Sequence, residues 1–292
     1  MMFEGVYTAI VTPFAGGAID EAALRRIVRE QIEAGVDGVV PCGSTGESAT
    51  LDHSEHERVI AITVEEAAGR VRVIAGTGSN STREAARLTE FARRAGADAA
   101  LLIGPYYNKP TQAGHVEHYR RIAEEADIPM IVYNIPGRTG VNMLPETIAQ
   151  IAEIPQVVGI KEASGSLDQV SRIIALCGPD FTVLSGDDSL TLPMMAVGAK
   201  GVISVVSNLV PQRFGELVRA AAGGDFARAR AIHYELLPLM RALFLETNPI
   251  PIKTAMAMLG KCREELRLPL TPMSAGPRAE LEQVLRRMGL VQ

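Results

Sequence analysis

The stretch Ala34-Gly35-Val36-Asp37-Gly38-Val39-Val40-Pro41-Cys42 passes from a helix end, through a glycine stop, into a short apolar strand. Gly35 suits the left-handed conformation that closes helices, and Val39-Val40 is a β-branched pair suited to a pleated sheet. The same succession returns at Ala95-Gly96-Ala97-Asp98 and at Val197-Gly198-Ala199-Lys200. Working outward, eight short runs rich in Val and Ile are separated by amphipathic stretches: Val6 to Val11, Gly38 to Cys42, Arg72 to Ala75, Ala99 to Ile103, Met130 to Asn134, Val157 to Lys161, Thr182 to Ser185 and Gly201 to Val205. Strands that alternate with helices build a parallel sheet, and eight of them favour closure into a (β/α)8 barrel over an open doubly wound sheet.

The intervening helices carry their own punctuation. Asp20 ahead of Glu21 to Glu33, Asp52 or Ser54 ahead of Glu55 to Ala68, and Ser81 or Thr82 ahead of Glu84 to Ala95 each offer a capping oxygen. After Pro211 the pattern is helical only: Gln212 to Ala222, Asp225 to Phe244, Pro251 to Leu259 and Arg278 to Met288. The expected division is a catalytic barrel over residues 1–224 and a C-terminal helical region, 225–292, packed on it.

Composition narrows the partners. The 292 residues are 47% hydrophobic and carry a formal net charge of -5, so a large core is affordable and no global positive field steers nucleic acid or anionic lipid to the chain. Cys42, Cys177 and Cys262 are odd in number and widely spaced, which suggests neither a disulfide framework nor a structural zinc site. Glu4 follows Phe3 without a basic leader, and no run approaches ~20 unbroken apolar residues. These features lead to the expectation of a cytoplasmic protein with reduced thiols.

Barrel enzymes carry their chemistry at the C-terminal ends of the strands and in the loops that follow, so polar residues closing apolar strands are the candidates. Lys161 closes Val157-Val158-Gly159-Ile160-Lys161. By the period of two, Gly159 and Lys161 share one face and Val158 and Ile160 the other; if the aliphatic pair faces the helices, Lys161 points into the mouth. An amine desolvated there is held neutral, as a carbonyl nucleophile must be. A strand-end lysine in solvent is the ordinary alternative. Tyr133 shares a face with Ile131 and offers a phenol for proton transfer, although a lone strand aromatic is more often core. Tyr106 and Tyr107 are adjacent in a loop where both rings cannot easily face inward, so one is free to reach a neighbouring subunit. Gly43-Ser44-Thr45-Gly46-Glu47 leaves backbone N–H groups and hydroxyls for a carboxylate, and Arg138, in a loop, suits bidentate contact with a second one.

Other constellations carry less. His53 with His56, and His115 with His118, are spaced i,i+3, but neither pair follows a strand with converging carboxylates, so no metal is expected. Gly76-Thr77-Gly78 imitates a dinucleotide loop without the third glycine. Asp187 and Asp188 lie where barrels often hold phosphate, and two carboxylates there oppose a phosphorylated ligand.

Together, Gly43 to Glu47, Tyr133-Asn134, Arg138-Thr139-Gly140, Gly159-Ile160-Lys161-Glu162 and Asn248-Pro249-Ile250-Pro251 resemble the dihydrodipicolinate synthase and N-acetylneuraminate lyase superfamily, in order, from Val6 to about Leu285. The resemblance implies a class I aldolase, a lyase whose Lys161 amine forms a Schiff base with pyruvate and needs no cofactor. By position, Tyr133 shuttles protons through Ser44 and through Tyr107 of a neighbouring subunit; Thr45 holds the pyruvate carboxylate, and Gly186, Ile203 and Asn248 line the substrate. Arg138 matches the synthase residue that binds the carboxylate of L-aspartate 4-semialdehyde, which points to lysine (diaminopimelate) biosynthesis. Ser44 departs from the usual synthase threonine and matches the lyase branch, losing a methyl that restricts χ1. Ser48, Ala49, His53, His56, Asn80, Glu84 and Tyr106 match an L-lysine effector site at a subunit interface, and the resemblance implies a homotetramer built as a dimer of dimers. The alternatives are an aldolase for sialic acid or 2-keto-3-deoxy sugar acids, and a non-catalytic metabolite-binding paralogue.

Overall fold

The computed structural model describes residues 3–292. Eight parallel strands close into a barrel: β1 (Gly5–Ala9), β2 (Gly38–Val40), β3 (Arg72–Gly76), β4 (Ala99–Ile103), β5 (Met130–Asn134), β6 (Val157–Glu162), β7 (Thr182–Ser185) and β8 (Gly201–Ser204), with β1 paired to both β2 and β8. The expected (β/α)8 architecture is therefore the observed one. β2 is shorter than its apolar run because Pro41 has no N–H to give the ladder and Cys42 has φ 56. A small antiparallel pair, Phe14–Ala15 with Ala18–Ile19, turns at Gly16 and Gly17, both at positive φ, and went unread in the sequence.

Two of the three expected caps form; Ser81 stands at the start of helix Thr82–Ala95, but its hydroxyl makes no capping bond. Asp20 accepts from the Ala23 N–H at 2.9 Å to start helix Glu21–Glu33. Asp52 forms a capping box with Glu55, which starts helix His53–Ala67 two residues earlier than read. Gly96 closes helix Thr82–Ala95 at φ 91. The late helices lie at Pro211–Ala222, Phe226–Ala242, Ile250–Met258 and Ala275–Arg287.

The core has an inside and an outside. Phe3, Tyr7, Val40, Ile74, Leu101, Ile131, Tyr133, Leu184 and Ile203 fill the barrel. One outer layer covers β4 to β7; the other joins β1 to β3 to the late helices through Leu236, Leu239, Ile252, Met256 and Leu281. The last helices thus share one apolar layer with the barrel. Among the described residues no helix is long and apolar enough to cross a membrane.

One strand-face assignment needs correction. Between β5 and β6 the register shifts at Met130/Ile131, so that Met130 pairs with Val157 and Ile131 with Gly159. The shift breaks the alternation: Val157 and Ile160 pack toward the helices, whereas Val158 packs toward the barrel interior. Val158 and Ile160 do not share a face. Lys161 still points inward, because it lies beyond the bulge and pairs with Tyr133 and Leu184, both interior residues.

Candidate active site

The mouth of the barrel opens on a cavity of about 280 Å³, walled by Ser44, Tyr106, Tyr133, Arg138 and Asn248 and closed on one side by Pro269 and Leu270 of the C-terminal region. Lys161 stands just behind this wall, 7% exposed, with its Nζ 4.2 Å from the centroid of the Tyr133 ring. Burial brings its pKa down to about 8; Asp188 opposes the shift and Arg138 assists it. The same burial pushes the Tyr133 phenol up to about 12. Gly186 makes room for the amine: a Cβ there would lie 2.7 Å from the Ala163 Cβ and 3.2 Å from the Lys161 Cε. Ile203 lies in the packed interior, at the β8 position opposite Tyr7.

The loop from Gly43 to Glu47 is closed on itself. Gly43 O accepts from the N–H groups of Gly46 and Ser48, Glu47 N donates to Ser44 O, and Thr12 Oγ1 donates to Gly46 O at 2.7 Å. These bonds leave the N–H groups of Ser44 and Thr45 with no partner among the described residues. Thr45 is tied instead to the far end of the chain: Asn248 Nδ2 donates to Thr45 Oγ1 at 3.0 Å, and Arg138 Nη2 donates to Asn248 O at 2.9 Å. Arg138 does not sit in an irregular loop, as read, but on a helical turn, Pro136–Thr139, started by proline and ended by Gly140 at φ 74.

Tyr106 and Tyr107 separate as their adjacency requires. Tyr106 lines the cavity, and Tyr107, at φ 70, is 89% exposed. No hydrogen bond joins Tyr133, Ser44 and Tyr107 among the described residues of the single chain. Ser48 and Ala49 line the same cavity as Tyr106. Nearby, Glu84 has both oxygens engaged: Oε1 with His53 Nε2 at 2.6 Å, Oε2 with the Ser79 hydroxyl. Those two partners hold the Glu84 carboxyl below its ordinary range. His56 is buried and donates from Nε2 to Gly76 O at 2.7 Å, while Asn80 O accepts from Asn108 Nδ2 at 2.9 Å. The two histidine pairs do not converge: His118 Nδ1 meets Thr82 Oγ1 at 2.9 Å, and the ring nitrogens of the buried His115 have no hydrogen-bond partner among the described residues.

Two features of the mouth escaped the sequence. Asp188 does more than oppose phosphate: its Oδ2 accepts from the N–H groups of Val205 and Val206 at 3.1 and 2.8 Å, in the region after the last two strands where barrels commonly hold a phosphoryl group. An internal carboxylate fills that cradle, and burial raises its pKa to about 6. The second is Lys253, fully buried and paired with Glu47 at 2.5 Å. Its signal was a single lysine inside the apolar run Ile250-Pro251-Ile252-Lys253-Thr254-Ala255-Met256.

A buried amine behind a tyrosine, at the C-terminal mouth of a (β/α)8 barrel, defines a class: lyases of the Schiff-base, class I aldolase type. Within it, the chain belongs to the dihydrodipicolinate synthetase family, whose sequence model matches residues 2–288. It is 58% identical over 292 residues, the whole of both chains, to a 4-hydroxy-tetrahydrodipicolinate synthase of Oleidesulfovibrio alaskensis. Among solved structures, dihydrodipicolinate synthase from Aquifex aeolicus matches with a TM-score of 0.98 and 52% identity, covering 99% of each chain. The chloride-inhibited synthase of Acinetobacter baumannii, solved in complex with pyruvate, matches at 0.97 and 42% identity over 99% of each chain. The synthase of Cyanidioschyzon merolae, solved with lysine bound, matches at 0.96 and 42% identity, again over 99% of each chain.

Proposed function

We propose that this chain condenses pyruvate with L-aspartate 4-semialdehyde through a Schiff base at Lys161, as a 4-hydroxy-tetrahydrodipicolinate synthase of the diaminopimelate route to lysine. The observation that carries the reading is the Lys161 amine, desolvated behind the Tyr133 ring and brought to a pKa of about 8. The neutral amine adds to the ketone carbon of pyruvate, the carbinolamine loses water, and the imine withdraws electrons so that the methyl carbon gives up a proton and becomes an enamine. That carbon then bonds to the aldehyde carbon of the second substrate. The covalent imine supplies the electron sink, so the reading needs neither metal nor cofactor.

Thr45, with the unpaired N–H groups of its loop, takes the pyruvate carboxylate, and Arg138 takes the carboxylate of the semialdehyde. Tyr133 moves protons at the imine, relayed by Ser44 and by Tyr107 of a neighbouring subunit; the exposure of Tyr107 suits that use. The reading extends to a homotetramer in the cytoplasm and to feedback inhibition by L-lysine near Ser48, Ala49, His53, His56, Asn80, Glu84 and Tyr106, with Glu84 facing the effector's ammonium groups. The pyruvate complex of one solved relative supports the first substrate, and the lysine complex of another supports the effector.

The experiment is reductive trapping. Borohydride with pyruvate is expected to leave one pyruvyl mass increment on the tryptic peptide that contains Lys161 and none in Lys161→Ala. An assay of pyruvate with the semialdehyde, coupled to a reductase, tests the second substrate. An adduct elsewhere, or none, sinks the reading.

A further inference from the structure

We propose that Lys253 is a positioning residue for the loop that carries Ser44 and Thr45, acting through Glu47. The inference rests on the reading above that this loop receives the keto acid's carboxylate. Lys253 lies one turn into helix Ile250–Met258, whose residues Ile250 to Met256 are all buried, and is itself fully buried. Its Nζ is 2.5 Å from Glu47 Oε1 and 4.2 Å from the centroid of the Phe14 ring. The other Glu47 oxygen, Oε2, accepts from the Arg267 N–H at 3.1 Å, and the Arg267 guanidinium lies over the same Phe14 ring at 4.3 Å. Glu47 is therefore held on both oxygens by segments more than two hundred residues away.

Glu47 is also where the backbone turns. Its φ of 53 is the left-handed region, disfavoured for a side chain with a Cβ, and it persists only when its surroundings hold it. From this position its N–H donates to Ser44 O, closing the turn that presents the N–H groups of Ser44 and Thr45. Breaking a buried ion pair by removing one partner leaves an uncompensated charge in a low-dielectric site. Without Lys253, the Glu47 carboxylate relieves that cost by swinging out toward water, which releases the strained turn. Asn248, two residues ahead of the same helix, holds the Thr45 hydroxyl, so this one segment of the chain grips the loop at two points.

A pair that served only the stability of the fold lowers the melting temperature of a variant without changing how pyruvate concentration drives adduct formation. The test is therefore the half-saturating pyruvate concentration for borohydride trapping, measured beside the limiting rate and the melting temperature. In Lys253→Met the half-saturating concentration is expected to rise about tenfold while the limiting rate stays within about threefold, the pattern of lost ground-state binding. If Lys253→Met does not fold, Glu47→Gln/Lys253→Met, which buries no unpaired charge but still lacks the Nζ hold on residue 47, carries the same expectation. A folded variant with wild-type pyruvate dependence overturns the inference alone. A wild-type chain that gives no adduct at Lys161 overturns the reading beneath it, and the inference with it.

Discussion

Lys161 and Tyr133 occupy paired positions on neighbouring strands, and the lysine Nζ stands 4.2 Å from the centroid of the tyrosine ring. The register that pairs them follows the bulge at the start of β6, so the same irregularity that turns Val158 inward sets the amine against the ring.

The amine's titration predicts a pH profile. With its pKa brought down to about 8, the neutral fraction of Lys161 rises tenfold per unit below that value and levels off above it. The second-order rate of pyruvyl adduct formation is expected to follow the same limb. Asp188 favours the ammonium, so Asp188→Asn, whose amide oxygen still accepts from Val205 and Val206, moves the limb to lower pH. A limb that stays in place or moves up contradicts the assignment.

The same burial has a stability consequence. A lysine titrates at 10.5 unfolded and at about 8 here, so the folded chain disfavours the ammonium; the destabilisation is full below pH 8 and fades as pH rises from 8 through 10.5. The shift corresponds to roughly 3 kcal/mol. Lys161→Met, close in volume and uncharged, is expected to melt several degrees higher than wild type at pH 7, with a difference that shrinks by pH 10. Calorimetry at both pH values tests this, and an unchanged melting temperature at pH 7 counts against a desolvated amine.

Arg138 tests the proposed second-substrate contact. Arg138→Ala is expected to leave the pyruvyl adduct within a few-fold of wild type and to raise the KM for the semialdehyde by about two orders of magnitude, the scale of a lost charge-assisted contact. Equal loss in both half-reactions would place the guanidinium on pyruvate instead.

Gly186 sits too close to the amine for a side chain. Gly186→Ala puts a Cβ 2.7 Å from Ala163 and 3.2 Å from the Lys161 Cε, against neighbours that are themselves packed. Adduct formation is expected to fall at least about tenfold, with melting lowered by a clash of roughly 1–3 kcal/mol. Normal trapping in a stable variant would show that the lysine stem has room to move.

The proposed effector site rests on Glu84. Millimolar L-lysine is expected to inhibit the wild type, and Glu84→Gln to weaken that inhibition at least about tenfold with the uninhibited rate preserved. Undiminished inhibition in the variant moves the ammonium contact to another group.

By itself the sequence determined what is local. Strand runs, glycine stops and the caps at Asp20 and Asp52 are written within a few residues of where they act, which is why the barrel was legible as eight βα units. Lys161, Tyr133, Thr45 and Arg138 stood out for the same reason: each is a polar residue at or just beyond the end of an apolar run. Only the tertiary structure decided how these residues meet. Asn248 reaches Thr45 across 203 positions and Lys253 reaches Glu47 across 206, contacts that no local pattern encodes. The face taken by Val158 was set by a register shift against a neighbouring strand, not by its own alternation. The amine's lowered pKa is likewise collective, because desolvation is exerted by every group that excludes water from Lys161, and those groups come together only when the barrel closes.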